Sequence, residues 1–183
     1  AAGCTMVLKP TEIAPFNAIL LAEVLHEAGV PKGVFNLING DGPTVGEAMS
    51  AHPKIDMMSF TGSTRAGVAV AKGSADTVKR VHQELGGKSA NIILDDADLD
   101  IAVPGVVRAS FLNSGQICLC GSRVLIHSSI YDDFVVRYLQ ELQNFEIGPV
   151  ISREHREKVL SYIELAKQEG GEILAGGGIP DRA

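Results

Sequence analysis

A chain of 183 residues, 45% hydrophobic and 21% charged with a formal net charge of −6, has the composition of a globular protein of one or two domains. The acidic balance argues against a nucleic-acid groove and against a basic membrane patch. No apolar run approaches the roughly 18 residues that a membrane span needs; the longest, residues 18–25, is broken by Glu23. Three cysteines, at positions 4, 118 and 120, are too few and too unevenly placed for a disulfide framework. Cys118 and Cys120 lack the second pair or histidine cluster of a metal site, so no metal is expected. The absence of disulfide patterning favours a reducing, cytoplasmic setting. The chain opens on Ala1 and lacks the charged-then-apolar plan of a signal peptide, so it is expected to be a piece of something longer.

In chain order, residues 5–8 predict a short buried strand ended by Lys9-Pro10. Residues 14–28 carry apolar side chains at helical spacing, with Thr11 or Glu12 where the helix would begin and Gly29 as its stop. A strand is expected over 34–38, a loop at 39–43, a helix over 44–50 and a strand over 57–60. A helix over about 65–72 and a strand over 78–83 follow. Strand and helix alternating at this pitch predict an α/β fold with a parallel sheet and helices on its faces. Beyond Gly87 the pattern continues with a strand over 91–94 and a turn through Asp95, Asp96 and Asp98. A helix over 99–112 comes next, which Pro104-Gly105 should distort or shorten. A strand over 122–126, a helix over 131–142, a helix over 153–169 and a strand over 172–174 complete the reading, ahead of glycines 176–178.

Two turns carry chemistry-bearing residues. Gly115-Gln116-Ile117-Cys118 places a thiol at the tip of a turn between a helix and a strand, where it could meet a ligand; a buried packing cysteine is the plain alternative. Glu84-Leu85-Gly86-Gly87-Lys88 places a carboxylate at a strand end before two glycines that permit a sharp turn and close approach. A solvated loop end would look the same. Together they could be a nucleophile and a general base. The histidines at 26, 52, 82, 127 and 155 show no ligand spacing, although His82 shares a strand face with Glu84. Asp95, Asp96, Asp98 and Asp100 lack the glycine and distal glutamate of a calcium loop.

These two turns, with Phe60-Thr61-Gly62-Ser63-Thr64, Leu8-Lys9-Pro10 and the glycines at 176–178, resemble the aldehyde dehydrogenase superfamily in order and near its spacing. The resemblance covers essentially the whole chain, which would be about the middle third of a family member. It implies that residues 1–85 are the later half of an NAD-binding open parallel sheet domain. Residues 86–183 would be the first part of the thiol-bearing catalytic domain, with the cofactor between them.

By the same resemblance, Ser63 and the helix start behind Phe60, Thr61 and Gly62 face the pyrophosphate, and Gly42 opens a helix on the adenine side. Leu85 and Gly86 also touch the cofactor. Lys9 and Glu12 bond the adenosine ribose hydroxyls. A carboxylate accepts from a 2′-hydroxyl but repels a 2′-phosphate, so Glu12 favours NAD over NADP. Cys118 is the implied nucleophile, and Glu84 the base for the water that releases the acid. A Glu84 at this position implies hydrolysis rather than acyl transfer to a thiol such as coenzyme A. The Cys118 backbone N–H is one oxyanion donor; the second, an Asn, would precede residue 1, and a nicotinamide-ribose Glu would follow Ala183.

On this reading the 183 residues alone should be inactive. The parent is expected to be a homodimer or homotetramer acting on an aldehyde; a non-catalytic structural or NAD-binding member of the same fold is the alternative. Muconic semialdehyde branches and broad-specificity members are both resembled, so the substrate stays open. Polar Gln83 stands where the family is more often apolar, and Cys120 where it is usually small, either as packing or as a second thiol capable of a reversible disulfide. Between Phe145 and Ile147 the family's longer loop with Gly, Asp and Pro is missing, through a deletion or a flexible segment absent from the chain.

Overall fold

The computed structural model describes residues 2–179 and divides the chain into two compact units, Ala1–Gly86 and Gly87–Ala183. Among the described residues six short strands and six α-helices largely alternate. The strands pair in parallel, each with its sequence neighbour across a helical crossover, as βαβ units require. Instead of one open sheet, the described residues form three two-stranded pairs.

In the first unit, β1 (Met6–Leu8) pairs with β2 (Phe35–Leu37) across α1 (Phe16–Glu27). Gly29, at φ +80°, stops α1 in the left-handed conformation that glycine adopts without strain. The next helix begins earlier than the sequence predicts: a wide π-helical turn over Gly42–Gly46, capped by Asp41, leads into α2 (Glu47–Ala51). β3 (Met57–Thr61) and β4 (Arg80–Glu84) flank α3 (Thr64–Ser74). β4 starts two residues later than expected because a 3₁₀ turn, Ala75–Thr77, ends with Val78 at φ 53°. Small residues let α2 and α3 pack closely. Ser50 and Ser74 are fully buried, the Ser74 hydroxyl donates to the Ser50 carbonyl, and a Cβ at Gly73 would lie 3.2 Å from that of Ser50.

In the second unit, β5 (Ala90–Ile93) pairs with β6 (Arg123–Ile126) across α4 (Leu99–Phe111) and the thiol turn. Pro104 neither shortens nor breaks α4. Pro104 and Gly105 lie on its solvent face, while Val103, Val106 and Val107 bury the other face and outweigh one lost backbone bond. The core gathers Ile93, Val103, Val106 and Phe134, the last from α5 (Tyr131–Gln143) and stacked on Tyr138 with ring centroids 5.7 Å apart. Helix α6 (Arg153–Gln168) follows, capped by Ser152. The expected strand at 172–174 does not form; these residues find no partner strand among those described, and a lone strand leaves its backbone groups unpaired.

Candidate active site

The thiol turn is built by backbone geometry. After α4, a 3₁₀ turn over Leu112–Gly115 places Asn113, Ser114 and Gly115 in succession in the left-handed region, at φ 53°, 58° and 71°. Such a run at two non-glycine residues needs outside support. Gln116 donates from backbone and side chain to the Asn113 carbonyl, at 3.1 and 3.2 Å. A tighter turn then closes with Cys120 N–H on the Ile117 carbonyl at 3.0 Å, which leaves Cys118 at the tip.

The far side of the turn is tied down at Gly121. Its N–H donates to the Ala109 carbonyl, and its own carbonyl accepts from Asn91 Nδ2 at 3.1 Å and Ser110 Oγ at 2.9 Å. A Cβ at Gly121 would lie 2.0 Å from Asn91 Nδ2, so any side chain there would displace the Asn91 amide. At Gly87 a Cβ would come within 3.0 Å of the Cys118 carbonyl oxygen, so the backbone before β5 lies close against the turn.

The two neighbouring cysteines end in opposite environments. Cys118 is exposed; Cys120 is only 6% exposed and its Sγ approaches the Leu112 carbonyl at 4.0 Å, the packing role of the two alternatives. Among the described residues no protein acceptor takes the Cys118 backbone N–H, which leaves that donor available to a ligand oxygen.

In the first unit, register fixes the carboxylate. Thr61 lies opposite Glu84, and Gly62 N–H donates to the Glu84 carbonyl at 3.0 Å. The Glu84 side chain is 60% exposed and meets His82 Nε2 at 3.3 Å. A partly desolvated carboxylate would suit a base at neutral pH, whereas this carboxylate lies open to water within the chain. Alternation along β4 explains polar Gln83: it points the other way, and its amide donates to the Gly67 carbonyl of α3. Leu85 packs on the same helix, where a Cβ at Gly67 would lie 2.6 Å from Leu85 Cδ2. Gly86 follows in open space.

The remaining expected residues form two corners of that unit. Lys9 Nζ donates to the carbonyls of Pro10 and Gly40, each at 2.6 Å, and to Glu12 Oε2 at 3.4 Å. The loops after β1 and β2 are thereby joined. The Glu12 carboxyl is held below the ordinary range by its own backbone N–H and then by Lys9. Asp41, missed by the sequence reading, accepts the Thr44 N–H at 2.7 Å and caps the turn that Gly42 begins. Asp-Gly-Pro-Thr was a readable cap signature. At the other corner Ser63 caps α3, accepting the Ala66 N–H at 3.3 Å, so its ordinary capping role is realised. Phe60 lies over Gly62, where a Cβ would meet the ring at 2.6 Å, and Thr61 is exposed. Among the described residues no group of His, Cys, Asp and Glu is placed to hold a metal, and no helix is long and apolar enough to cross a membrane.

Two α/β units of parallel strand pairs, one carrying an exposed thiol at a pinned turn, define the class. The aldehyde dehydrogenase family model matches residues 1–183, and the chain belongs to that family. It is 53% identical to 3-succinoylsemialdehyde-pyridine dehydrogenase of a Pseudomonas species over 99% of its length and 40% of the relative's. It is 46% identical to a Pseudomonas 2-aminomuconic 6-semialdehyde dehydrogenase, over 98% of this chain and 39% of that one. An aldehyde dehydrogenase of Bartonella henselae superposes with a TM-score of 0.94 at 49% identity, covering 98% of this chain and 40% of that one. Betaine aldehyde dehydrogenase of Staphylococcus aureus, solved with NAD+, does so with a TM-score of 0.94 at 43% identity, covering 98% and 38%. The chain thus spans about 40% of the relatives it matches.

Proposed function

We propose that the protein containing this chain oxidises an aldehyde to a carboxylic acid, with NAD as hydride acceptor. One observation carries the reading: Cys118 is exposed at the tip of a turn tied down behind it, with its backbone N–H available beside the thiol. The Cys118 thiolate adds to the aldehyde carbonyl carbon, forming a C–S bond and an alkoxide that the Cys118 N–H stabilises. Collapse restores the carbonyl as the C–H bond breaks, leaving a thioester on Cys118; NAD, when bound, would supply the acceptor for that hydride. Glu84 takes a proton from water, the hydroxide adds to the thioester, and the C–S bond breaks to return the thiolate and release the acid.

In this proposal residues 1–85 are the later half of the NAD-binding domain and residues 86–183 the first part of the catalytic domain. The first unit fits a dinucleotide. Lys9 and an ionised Glu12 can exchange hydrogen bonds with ribose hydroxyls, and Glu12 disfavours a 2′-phosphate. Gly42 stands in open space at the helix start behind Asp41, and Ser63 caps the start of α3 after Gly62. Leu85 and Gly86 would border the cofactor beyond Phe60 and Thr61. NAD in the S. aureus structure and the semialdehydes in the relatives' names support the same reading.

The test uses the full-length protein. It should reduce NAD in preference to NADP with a panel of semialdehydes and simple aldehydes, compared as kcat/KM, and should sediment as a dimer or tetramer. Binding of NAD with no turnover on any aldehyde would select the non-catalytic alternative.

A further inference from the structure

Residues 145–151, which join α5 to α6 without regular structure, turn back onto the thiol turn. The Phe145 ring lies 6.2 Å from that of Phe111, the last residue of α4, at a tilt of 49°. Three residues further, the Gly148 carbonyl accepts the Ser114 hydroxyl at 3.1 Å, and a Cβ at Gly148 would lie 3.4 Å from that oxygen. The link thus meets the chain just before the turn and again inside it.

Ser114 is the middle of the three left-handed residues, φ 58° between Asn113 and Gly115. Serine does not favour this region, so a contact from elsewhere has to hold it there. Its hydroxyl makes one hydrogen bond among the described residues, the bond to Gly148, 34 positions away in sequence.

We infer that the link over residues 145–151 is a strap across the thiol turn and that Ser114 is a positioning residue for Cys118. The Ser114–Gly148 bond and the Phe111–Phe145 contact hold residues 113–115 in their left-handed path, and that path sets where the tip points. The inference rests on Cys118 being the nucleophile, and its test separates the two ideas.

In the full-length enzyme, amide hydrogen exchange over residues 112–119 is compared with the rate of the first-turnover NADH burst. Losing one hydrogen bond corresponds to about a three- to tenfold change. Ser114→Ala should speed exchange in this segment by that factor and slow the burst by a similar one, with KM for NAD and aldehyde unchanged. Phe145→Ala should do the same, and the two should be less than additive because they act through one strap. Ser114→Gly, which accepts the left-handed backbone without the bond, should lose less than Ser114→Ala, and it carries the test if that variant fails to fold. Wild-type exchange in Ser114→Ala and Ser114→Gly overturns the strap, and faster exchange with an unchanged burst overturns the positioning role. Full turnover in Cys118→Ala sinks the nucleophile reading and with it the positioning role, whereas the exchange result alone still decides whether the strap holds the turn.

Discussion

The candidate residues of the two units are held by different means. In the first unit Ser63 and Asp41 are placed by caps three residues from their donors, and Glu84 by the pairing of two strands on either side of α3. In the second unit Cys118 is placed by residues distant in sequence, with Asn91 and Ser110 on Gly121 and Ser114 on Gly148. A locally held residue tolerates loss of one neighbour, because strand and helix persist around it. A turn held by a few long-range bonds has no secondary structure to fall back on, so it should respond more sharply to single changes.

The largest expected effect is at the tip itself. Cys118→Ala should lower turnover on the order of 10⁴-fold or more, since the covalent step is assigned to its thiolate. Cys120→Ala, two residues away, should leave turnover near wild type and cost about 1 kcal/mol of stability through lost packing of a buried sulfur. Steady-state NADH formation and thermal melting on both variants check this; comparable turnover losses would mean that exposure did not distinguish the two thiols.

Glu84→Gln should slow steady-state turnover by about 10²–10⁴-fold while the first-turnover burst of NADH persists, because only thioester hydrolysis requires the base. A burst lost together with the steady state would assign Glu84 to an earlier step. The fold of the first unit should be unaffected, since the Glu84 backbone, not its side chain, receives Gly62.

Gly121→Ala tests how much the turn depends on its distant anchors. The added Cβ would lie 2.0 Å from Asn91 Nδ2 and displace the amide from the Gly121 carbonyl. A loss of about 1–3 kcal/mol is expected in a denaturant melt. Ser63→Ala, a loss of one local cap in the other unit, should cost about 1 kcal/mol. If Ser63→Ala proved the costlier of the two, the contrast between the units would be wrong.

The same contrast explains what could be read in advance. Helices α1, α3, α5 and α6 and all six strands follow from periodicity and Gly or Ser punctuation, and their bounds shift by only a few residues. Glu84 at a strand end and Ser63 at a helix start were equally readable, because each depends on three or four neighbours. Pro104 misled because propensity cannot tell which face of α4 is buried. Residues 172–174 misled because a strand needs a partner that the local sequence does not reveal. The Ser114–Gly148 bond spans 34 positions and a left-handed serine, and no pattern within a turn's length announces it.

The smallest effect concerns the corner formed by Asp41 and Lys9. The Asp41 carboxyl is held below its ordinary range, first by the Thr44 backbone N–H and more weakly by the charge of Lys9. The folded state therefore binds this proton less readily than the unfolded chain. A depressed carboxylate contributes stability that is fully present above its unfolded pKa and is lost as pH falls through the folded one. The contribution should hold at neutral pH and fade below about pH 4, the unperturbed aspartate value. Asp41→Asn keeps a side-chain oxygen for the cap but removes the titration, so the gap between wild type and this variant should close on acidification. Asp41→Ala removes cap and charge together and should be less stable than Asp41→Asn at both ends of the range. Melting temperatures of the three proteins at neutral pH and near pH 3 check the sign. A gap between wild type and Asp41→Asn that widens in acid would show that the fold disfavours the ionised carboxylate, so that neither the Thr44 N–H nor Lys9 holds it.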